Sequence, residues 1–137
     1  MEKVIKLINN LSEIARLADF IEEIGNELYL TPDTTMNINL ALEEAIVNII
    51  LYAYPSEEKR EIILQVSASN QQLIFLLTDC GISFDPTQTE EANHIDLPID
   101  ERPIGGLGIF LIRKIMNEVS YERIGDENKL TMKKNIL

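Results

Sequence analysis

Three short segments of this chain carry groups that could hold a charged ligand. Glu44 and Asn48 stand four residues apart in a stretch of helical periodicity, so their side chains lie on the same helix face. An Asn carbonyl oxygen can serve as the only side-chain ligand of a magnesium ion, which otherwise keeps water and phosphate oxygens. Glu44 would then lie within reach of a hydroxyl or water aimed at a phosphate. Taken alone, the pair also fits an ordinary solvated helix face.

The second segment begins where a run of strand-forming residues ends. The carboxylate of Asp79 can accept a hydrogen bond from an exocyclic amine such as that of adenine, and Gly81 permits close approach of a ligand and a positive φ. The alternative is an Asx turn that only closes the strand. Between them lies Cys80, the single cysteine of the chain, which we expect to be a free, buried thiol.

The third segment is rich in glycine and precedes an apolar stretch typical of a helix. Gly105, Gly106, Leu107 and Gly108 would place unpaired N–H groups and the positive end of a helix dipole at its start, where phosphate is favoured. The spacing fits neither a dinucleotide fingerprint nor a P-loop, and a flexible hinge is an equal alternative. Arg102, just upstream, is a further candidate for contact with a phosphate, although surface arginines usually have no specific role.

Periodicity and turn residues outline the elements that must position these groups. Ser12 is predicted to cap an amphipathic helix over 13–28, and Thr31 to cap a second helix. The other predicted elements are strands at 2–9, 61–68, 73–79, 119–124 and 129–134, helices at about 32–52 and 106–117, a turn at 125–128, and a long loop at 80–104. We expect the part of this loop from about 86 to 104 to act as a lid.

This order of elements predicts a single domain over residues 1–137. Its fold class is α/β, a two-layer sandwich in which a mixed, mostly antiparallel sheet carries its helices on one face. The chain shows no apolar run of about 18 residues and no signal-peptide pattern at its start, so we expect a cytoplasmic protein.

The charge balance narrows the classes of partner. With 23 acidic and 12 basic side chains, the net charge of −11 repels nucleic acid and anionic membrane surfaces, and neither is expected as a partner. A polyphosphate ligand meets the same field, which favours a nucleotide bound as its magnesium complex. The single histidine, His94, has no partner at metal-ligand spacing, and no Ser-His-Asp or Cys-His arrangement can be built around it.

Taken together, the three segments resemble the Bergerat-fold ATPases, and within them the small bacterial anti-sigma factor serine kinases. The resemblance covers nearly the whole chain. The motifs that carry it are Glu44-Ala45-Ile46-Val47-Asn48, Asp79-x-Gly81-x-x-Phe84-Asp85-Pro86 and Arg102-Pro103-x-Gly105-Gly106-Leu107-Gly108-Ile109.

The resemblance implies a kinase that moves the terminal phosphate of ATP, with Mg²⁺, to a serine on a small antagonist protein and that sequesters a sigma factor or another regulator. It implies that Glu44 is the general base, that Asn48 is the magnesium ligand, and that Asp79 reads the adenine amine. Gly81 would then admit the purine, and the glycine-rich segment would hold the phosphates. A homodimer is implied on the same ground.

The chain departs from the family pattern at two places. Leu51-Tyr52-Ala53-Tyr54 stands where many members have His-Gly-Tyr or His-Ala-Tyr after the asparagine helix. Residues 127–131 stand where many members have a Gly-Thr pair, and Thr131 is a candidate for that threonine, although the strand register is open. Neither departure touches Glu44 or Asn48.

Two other functions remain open from the sequence. One is a non-catalytic, nucleotide-gated module that binds and releases a partner, and the presence of Glu44 argues against it because a pure binder needs no base there. The other is an unrelated soluble α/β domain with accidental motifs, which the fixed order of the three segments disfavours.

Overall fold

The computed structural model describes residues 1–54, 59–69, 71–83 and 106–136. Its elements in chain order are β1 (Glu2–Ile8), a 3-10 turn (Leu11–Glu13), α1 (Ile14–Glu27), α2 (Pro32–Tyr52), β2 (Glu61–Ser69), β3 (Gln72–Asp79), α3 (Gly106–Ile115), β4 (Glu118–Ile124) and β5 (Glu127–Asn135). The predicted lid at about 86–104, together with Arg102 and Gly105, lies outside the described residues. No helix within the described ranges is long and apolar enough to cross a membrane.

The five strands form one sheet in the order β1-β2-β3-β5-β4, and every pairing in it is antiparallel. Apolar side chains alternate along the strands, so one face of the sheet is buried against the helices. The most deeply buried strand residues include Leu7, Ile62, Leu64, Leu73, Phe75, Leu77 and Met132. The predicted two-layer α/β sandwich is confirmed.

The predicted cap of α2 is confirmed, and that of α1 is wrong. The side chain of Thr31 accepts a hydrogen bond from the backbone N–H of Thr34 at 3.2 Å, and a proline follows in the first turn. Ser12 is not the N-cap: the side chain of Asn10 accepts from the N–H of Ser12 at 2.9 Å and caps a 3-10 turn that precedes α1. The N-cap of α1 itself, Glu13, makes no side-chain capping bond.

The turn predicted at 125–128 is shorter than expected. Ile124 pairs directly with Glu127, so the loop between β4 and β5 is two residues long, and Gly125 takes its left-handed conformation with φ +61°. β5 therefore begins two residues earlier than predicted. This places Asn128 inside the sheet, directly opposite Asp79 at the end of β3.

Candidate nucleotide-binding site

A cavity of about 330 Å³ lies between α2 and the ends of the central strands. One face of α2 lines it with Ala45, Asn48, Ile49 and Tyr52. The sheet contributes the neighbouring pair Asp79 and Asn128, together with Tyr121 and Leu130, and α3 contributes Ile112. Mostly apolar walls with a few converging polar groups are typical of small-molecule sites.

Asp79 is buried at the sheet end of this cavity, with 5% of its surface exposed. Its Oδ1 accepts hydrogen bonds from the N–H of Gly81 at 2.8 Å and from the side-chain amide of Asn128 at 3.0 Å. Burial raises the pKa of this carboxyl, and these two hydrogen bonds and the nearby charge of Arg123 oppose the rise. The bond from Gly81 is the Asx turn of the alternative interpretation, but it occupies only one of the two carboxylate oxygens.

Gly81 is required by packing and not by its φ. The φ of Gly81 is not positive, which makes that part of the sequence prediction wrong. A Cβ at this position would lie 2.6 Å from both the Cβ and the carbonyl oxygen of Ala53, which follows α2. The N–H of Ile82 also donates to that carbonyl at 3.0 Å. The chain after β3 is therefore pressed against the end of α2, and the approach of a purine to Gly81 stays a prediction.

Cys80 is exposed, so the predicted burial of its thiol is wrong. Side chains alternate in direction along an extended chain, and the side chain of Asp79 is the one that points inward. The backbone N–H of Cys80 donates to the phenol oxygen of Tyr54 at 2.7 Å. Burial is the main cause that raises the pKa of Tyr54 to about 12.

Asn48 and Glu44 occupy neighbouring turns of α2. Asn48 is half-buried and lines the cavity. Glu44, also half-buried, lies one turn closer to the helix N-terminus, roughly 6 Å along the axis, and is not among the lining residues. Burial, and next the negative charge of Glu43, raise the pKa of Glu44. A raised pKa improves a carboxylate as a proton acceptor at neutral pH.

The helix predicted at Gly106 is confirmed. Gly106, Leu107 and Gly108 form the first turn of α3, which packs against α2. Ile112 is buried and reaches the cavity about one turn after them. The start of α3 therefore lies close to the cavity that contains Asn48.

Sequence reasoning missed three residues at the sheet end of the site. Asn128, Tyr121 and Arg123 form a hydrogen-bonded group around the segment that follows β3. Thr131, the candidate for the family threonine, pairs with Leu76 and lies away from the cavity, so that suggestion is wrong. The available signal was the Gly-Asp pair at 125–126: a two-residue turn there sets the register that places Asn128 beside Asp79.

The arrangement fits a magnesium nucleotide. The apolar walls suit a purine ring, the Asp79 carboxylate offers an acceptor for an amine, and the amide oxygen of Asn48 is a hard ligand of the kind that Mg²⁺ accepts. These residues come from segments that are distant in the sequence, and the fold brings them to one cavity.

Comparison with solved structures defines the fold class. The histidine kinase domain of a blue-light activated histidine kinase from Erythrobacter litoralis has a TM-score of 0.56 and 17% identity, with 91% of this chain and 60% of that chain covered. The histidine kinase AdeS of Acinetobacter baumannii has a TM-score of 0.52 and 14% identity, with 98% and 68% covered. The protein therefore has the fold of these histidine kinase chains.

Sequence comparison then gives the family. Residues 8–134 match the model of the histidine kinase-like ATPase domain, and the chain belongs to this family. A protein named Serine-protein kinase RsbW from Listeria monocytogenes is 35% identical over 113 residues, which cover 80% of this chain and 66% of that relative. The protein of the same name from Oceanobacillus iheyensis is 27% identical over 109 residues, covering 77% and 68%. The chain thus spans about two thirds of the length of these relatives.

Proposed function

We propose that this chain binds ATP with Mg²⁺ and is a serine/threonine protein kinase of the anti-sigma factor type. In this proposal it phosphorylates a serine on a small antagonist protein and sequesters a sigma factor or a similar regulator. The observation that carries the proposal is that Asn48 and Asp79 line one cavity, with Glu44 one helical turn from Asn48. The names of the curated relatives support the same enzyme class.

Each part of the cavity has a role in this proposal. Asp79 accepts the amine of the base, and the apolar residues of α2, β5 and α3 enclose the ring. Asn48 holds the metal ion, and the role proposed for the first turn of α3, for Gly105 and for Arg102 is to bind the phosphates. ATP supplies the phosphoryl group. Positioning and neutralisation of charge account for most of the catalysis of such a transfer, so this small set of groups is sufficient.

Glu44 accepts the proton of the serine hydroxyl in this proposal. It lies on the same side of α2 as Asn48 but outside the lined cavity, so a hydroxyl from a second protein could approach it while the nucleotide occupies the interior. Its raised pKa suits this task. The proposal also includes a homodimer and excludes nucleic acid and membrane as partners.

Calorimetry tests the nucleotide site. We expect ADP and a non-hydrolysable ATP analogue to bind wild type in a magnesium-dependent way, and Asn48→Ala to remove that dependence. Asn37→Ala is the matched control, because Asn37 lies exposed on the same helix and is not among the residues that line the cavity. Absence of binding to wild type would overturn the proposed function.

A transfer assay separates the kinase from a non-catalytic, nucleotide-gated binding module. Radiolabelled ATP and a candidate antagonist protein are incubated with wild type, Glu44→Gln and the control Glu22→Gln, an exposed residue of α1 that is not among those lining the cavity. Loss of the base should lower turnover by about 100-fold to 10,000-fold while nucleotide affinity stays within about threefold. If wild type binds nucleotide and a sigma factor but transfers no label to any antagonist, the binding module is the correct function.

A further inference from the structure

We propose that Asn128, held in place by Arg123 and Tyr121, is the positioning residue that fixes the carboxylate of Asp79 and sets the preference of the cavity for a 6-aminopurine over a 6-oxopurine. The inference rests on the proposed nucleotide site and concerns the residues that decide which base it accepts.

Asn128 is joined to the segment after β3 by its side-chain amide. It is buried, with 6% of its surface exposed, and stands directly opposite Asp79 in the sheet. Its Nδ2 donates to Oδ1 of Asp79 at 3.0 Å and to the carbonyl oxygen of Ile82 at 2.8 Å. Both amide hydrogens are thus used on acceptors within one short stretch of chain.

Arg123 and Tyr121 fix the direction of this amide. Oδ1 of Asn128 accepts hydrogen bonds from the guanidinium of Arg123 at 3.1 Å and from the phenol of Tyr121. A flipped amide would turn its NH₂ group toward the cation and its oxygen toward Asp79 and the carbonyl of Ile82. Because each of those contacts would be repulsive, the donor side of Asn128 faces Asp79.

The cation of Arg123 also ties down the backbone around this pair. Its guanidinium donates to the carbonyl oxygen of Gly81 at 2.7 Å and to that of Gly125 at 3.1 Å. The turn after β3 and the hairpin between β4 and β5 are therefore held by one side chain. Arg123 acts on Asp79 through Asn128 and through this backbone.

The consequence for a ligand concerns the second carboxylate oxygen. Oδ1 of Asp79 already accepts from Asn128 and from the N–H of Gly81, whereas Oδ2 receives no hydrogen bond from any residue in the described ranges. An ionised carboxylate is an acceptor only, so the ligand must bring a donor to Oδ2. The 6-amino group of adenine supplies this donor, whereas hypoxanthine would place its 6-oxo oxygen, an acceptor, next to Oδ2, which is also an acceptor. A mismatch of this kind is strongly rejected by a buried polar site.

Asn128 also affects how readily Asp79 ionises. The groups that face Asp79 are Arg123 from β4, the phenol of Tyr54 beyond α2 and the adjacent Cys80. Burial raises the pKa of Asp79, and the hydrogen bond from Asn128 is the largest of the influences that lower it. Removal of that donor should raise the pKa further and leave more of the carboxyl protonated near neutral pH.

The test compares Asn128→Ala with wild type and with the control Asn135→Ala, at the far end of the same strand. Affinities for ADP and inosine diphosphate are measured by calorimetry at several pH values. In Asn128→Ala we expect the hydrogen bond from the 6-amino group to the Asp79 carboxylate to be lost. Loss of a hydrogen bond to a charged group lowers ADP affinity by about 10-fold to 100-fold, and we expect the affinity for inosine diphosphate to fall by less than about threefold. The pH above which ADP binds well should also move upward in the variant.

Titration of the Asp79 carboxyl by ¹³C NMR in the nucleotide-free protein is the second measurement. The inference would be overturned if Asn128→Ala lost affinity for ADP and for inosine diphosphate equally. It would also be overturned if Asp79 titrated at the same pH in Asn128→Ala and in wild type. If wild type binds no ADP, the proposed function fails, and the carboxyl titration still decides the role of Asn128. Arg123→Gln replaces the alanine variant if that variant does not fold, because Arg123 is at an exposed position. It should also lower ADP affinity and raise the pH at which Asp79 titrates.

Discussion

Replacement of Gly81 by alanine distinguishes a packing role of this glycine from a ligand-binding role. The added Cβ would meet the Cβ and the carbonyl oxygen of Ala53 at 2.6 Å and the carbonyl carbon at 3.0 Å. Two of these three contacts are to backbone, which cannot rotate away. Overpacking of this kind costs about 1–3 kcal/mol, so Gly81→Ala should lower the free energy of unfolding by that amount.

Urea denaturation followed by circular dichroism measures this loss. With a urea dependence of about 1–3 kcal/mol per molar, the midpoint should fall by about 1 M. Ala53→Gly removes only the Cβ contact, so the double variant should recover less than half of the loss. Gly125→Ala gives a comparison without overpacking: its Cβ would meet nothing within 4 Å, so its own loss, about 1–2 kcal/mol, comes from the φ of +61° alone.

The packing explanation would be refuted by a loss below about 0.5 kcal/mol, or by full recovery in the double variant. If instead Gly81→Ala unfolds like wild type but loses affinity for ADP, the glycine serves the approach of the purine. The same calorimetric titration therefore separates the two roles.

Three other substitutions test single features of the structure. Thr31→Ala should lower the free energy of unfolding by about 1 kcal/mol in urea denaturation, because the N–H of Thr34 loses its cap, whereas Thr31→Ser should not. Tyr54→Phe leaves the N–H of Cys80 without its acceptor. The phenol of Tyr54 has a pKa of about 12 in the folded protein, so in wild type the unfolded phenol ionises first and stability should fall from about pH 10 upward. Thermal melts of Tyr54→Phe should lack this loss. Asp79→Asn should be at least as stable as wild type at pH 7 in urea denaturation. The pKa of the Asp79 carboxyl is raised in the folded protein, so wild type loses stability as the pH rises from the unfolded to the folded pKa, and the amide does not. The variant should nevertheless lose affinity for ADP, and a large loss of stability would contradict the prediction.

The sequence predicted the fold well where a signal was local. The cap at Thr31 with its following proline, and the alternation along β2 and β3, each depend on neighbours in the chain, and the structure has these elements. The predicted cap at Ser12 is wrong because the side chain of the nearby Asn10 accepts from the N–H of Ser12 and caps a 3-10 turn there.

The part of the site that was missed depends on strand register. Periodicity predicts a strand at 129–134, but a shift by one residue would move every side chain to the other face of the sheet. The sequence left Thr131 as a candidate for the site, and only the pairing of β5 with β3 shows that Asn128 faces the cavity. Likewise, the contact of Gly81 with Ala53 joins residues far apart in the chain, and no local pattern reports it.

The segment after β3 uses its main chain more than its side chains. The consecutive N–H groups of Cys80, Gly81 and Ile82 donate to three different places: the phenol of Tyr54, the carboxylate of Asp79 and the carbonyl of Ala53. The side chain of Cys80 is exposed and is not among those lining the cavity, whereas Ile82, also exposed, does line it. Alanine at position 80 should therefore have little effect, whereas proline, which has no N–H, would disrupt the segment at Cys80 or at Ile82. Among related sequences, position 80 should accept many different side chains, and both positions should exclude proline.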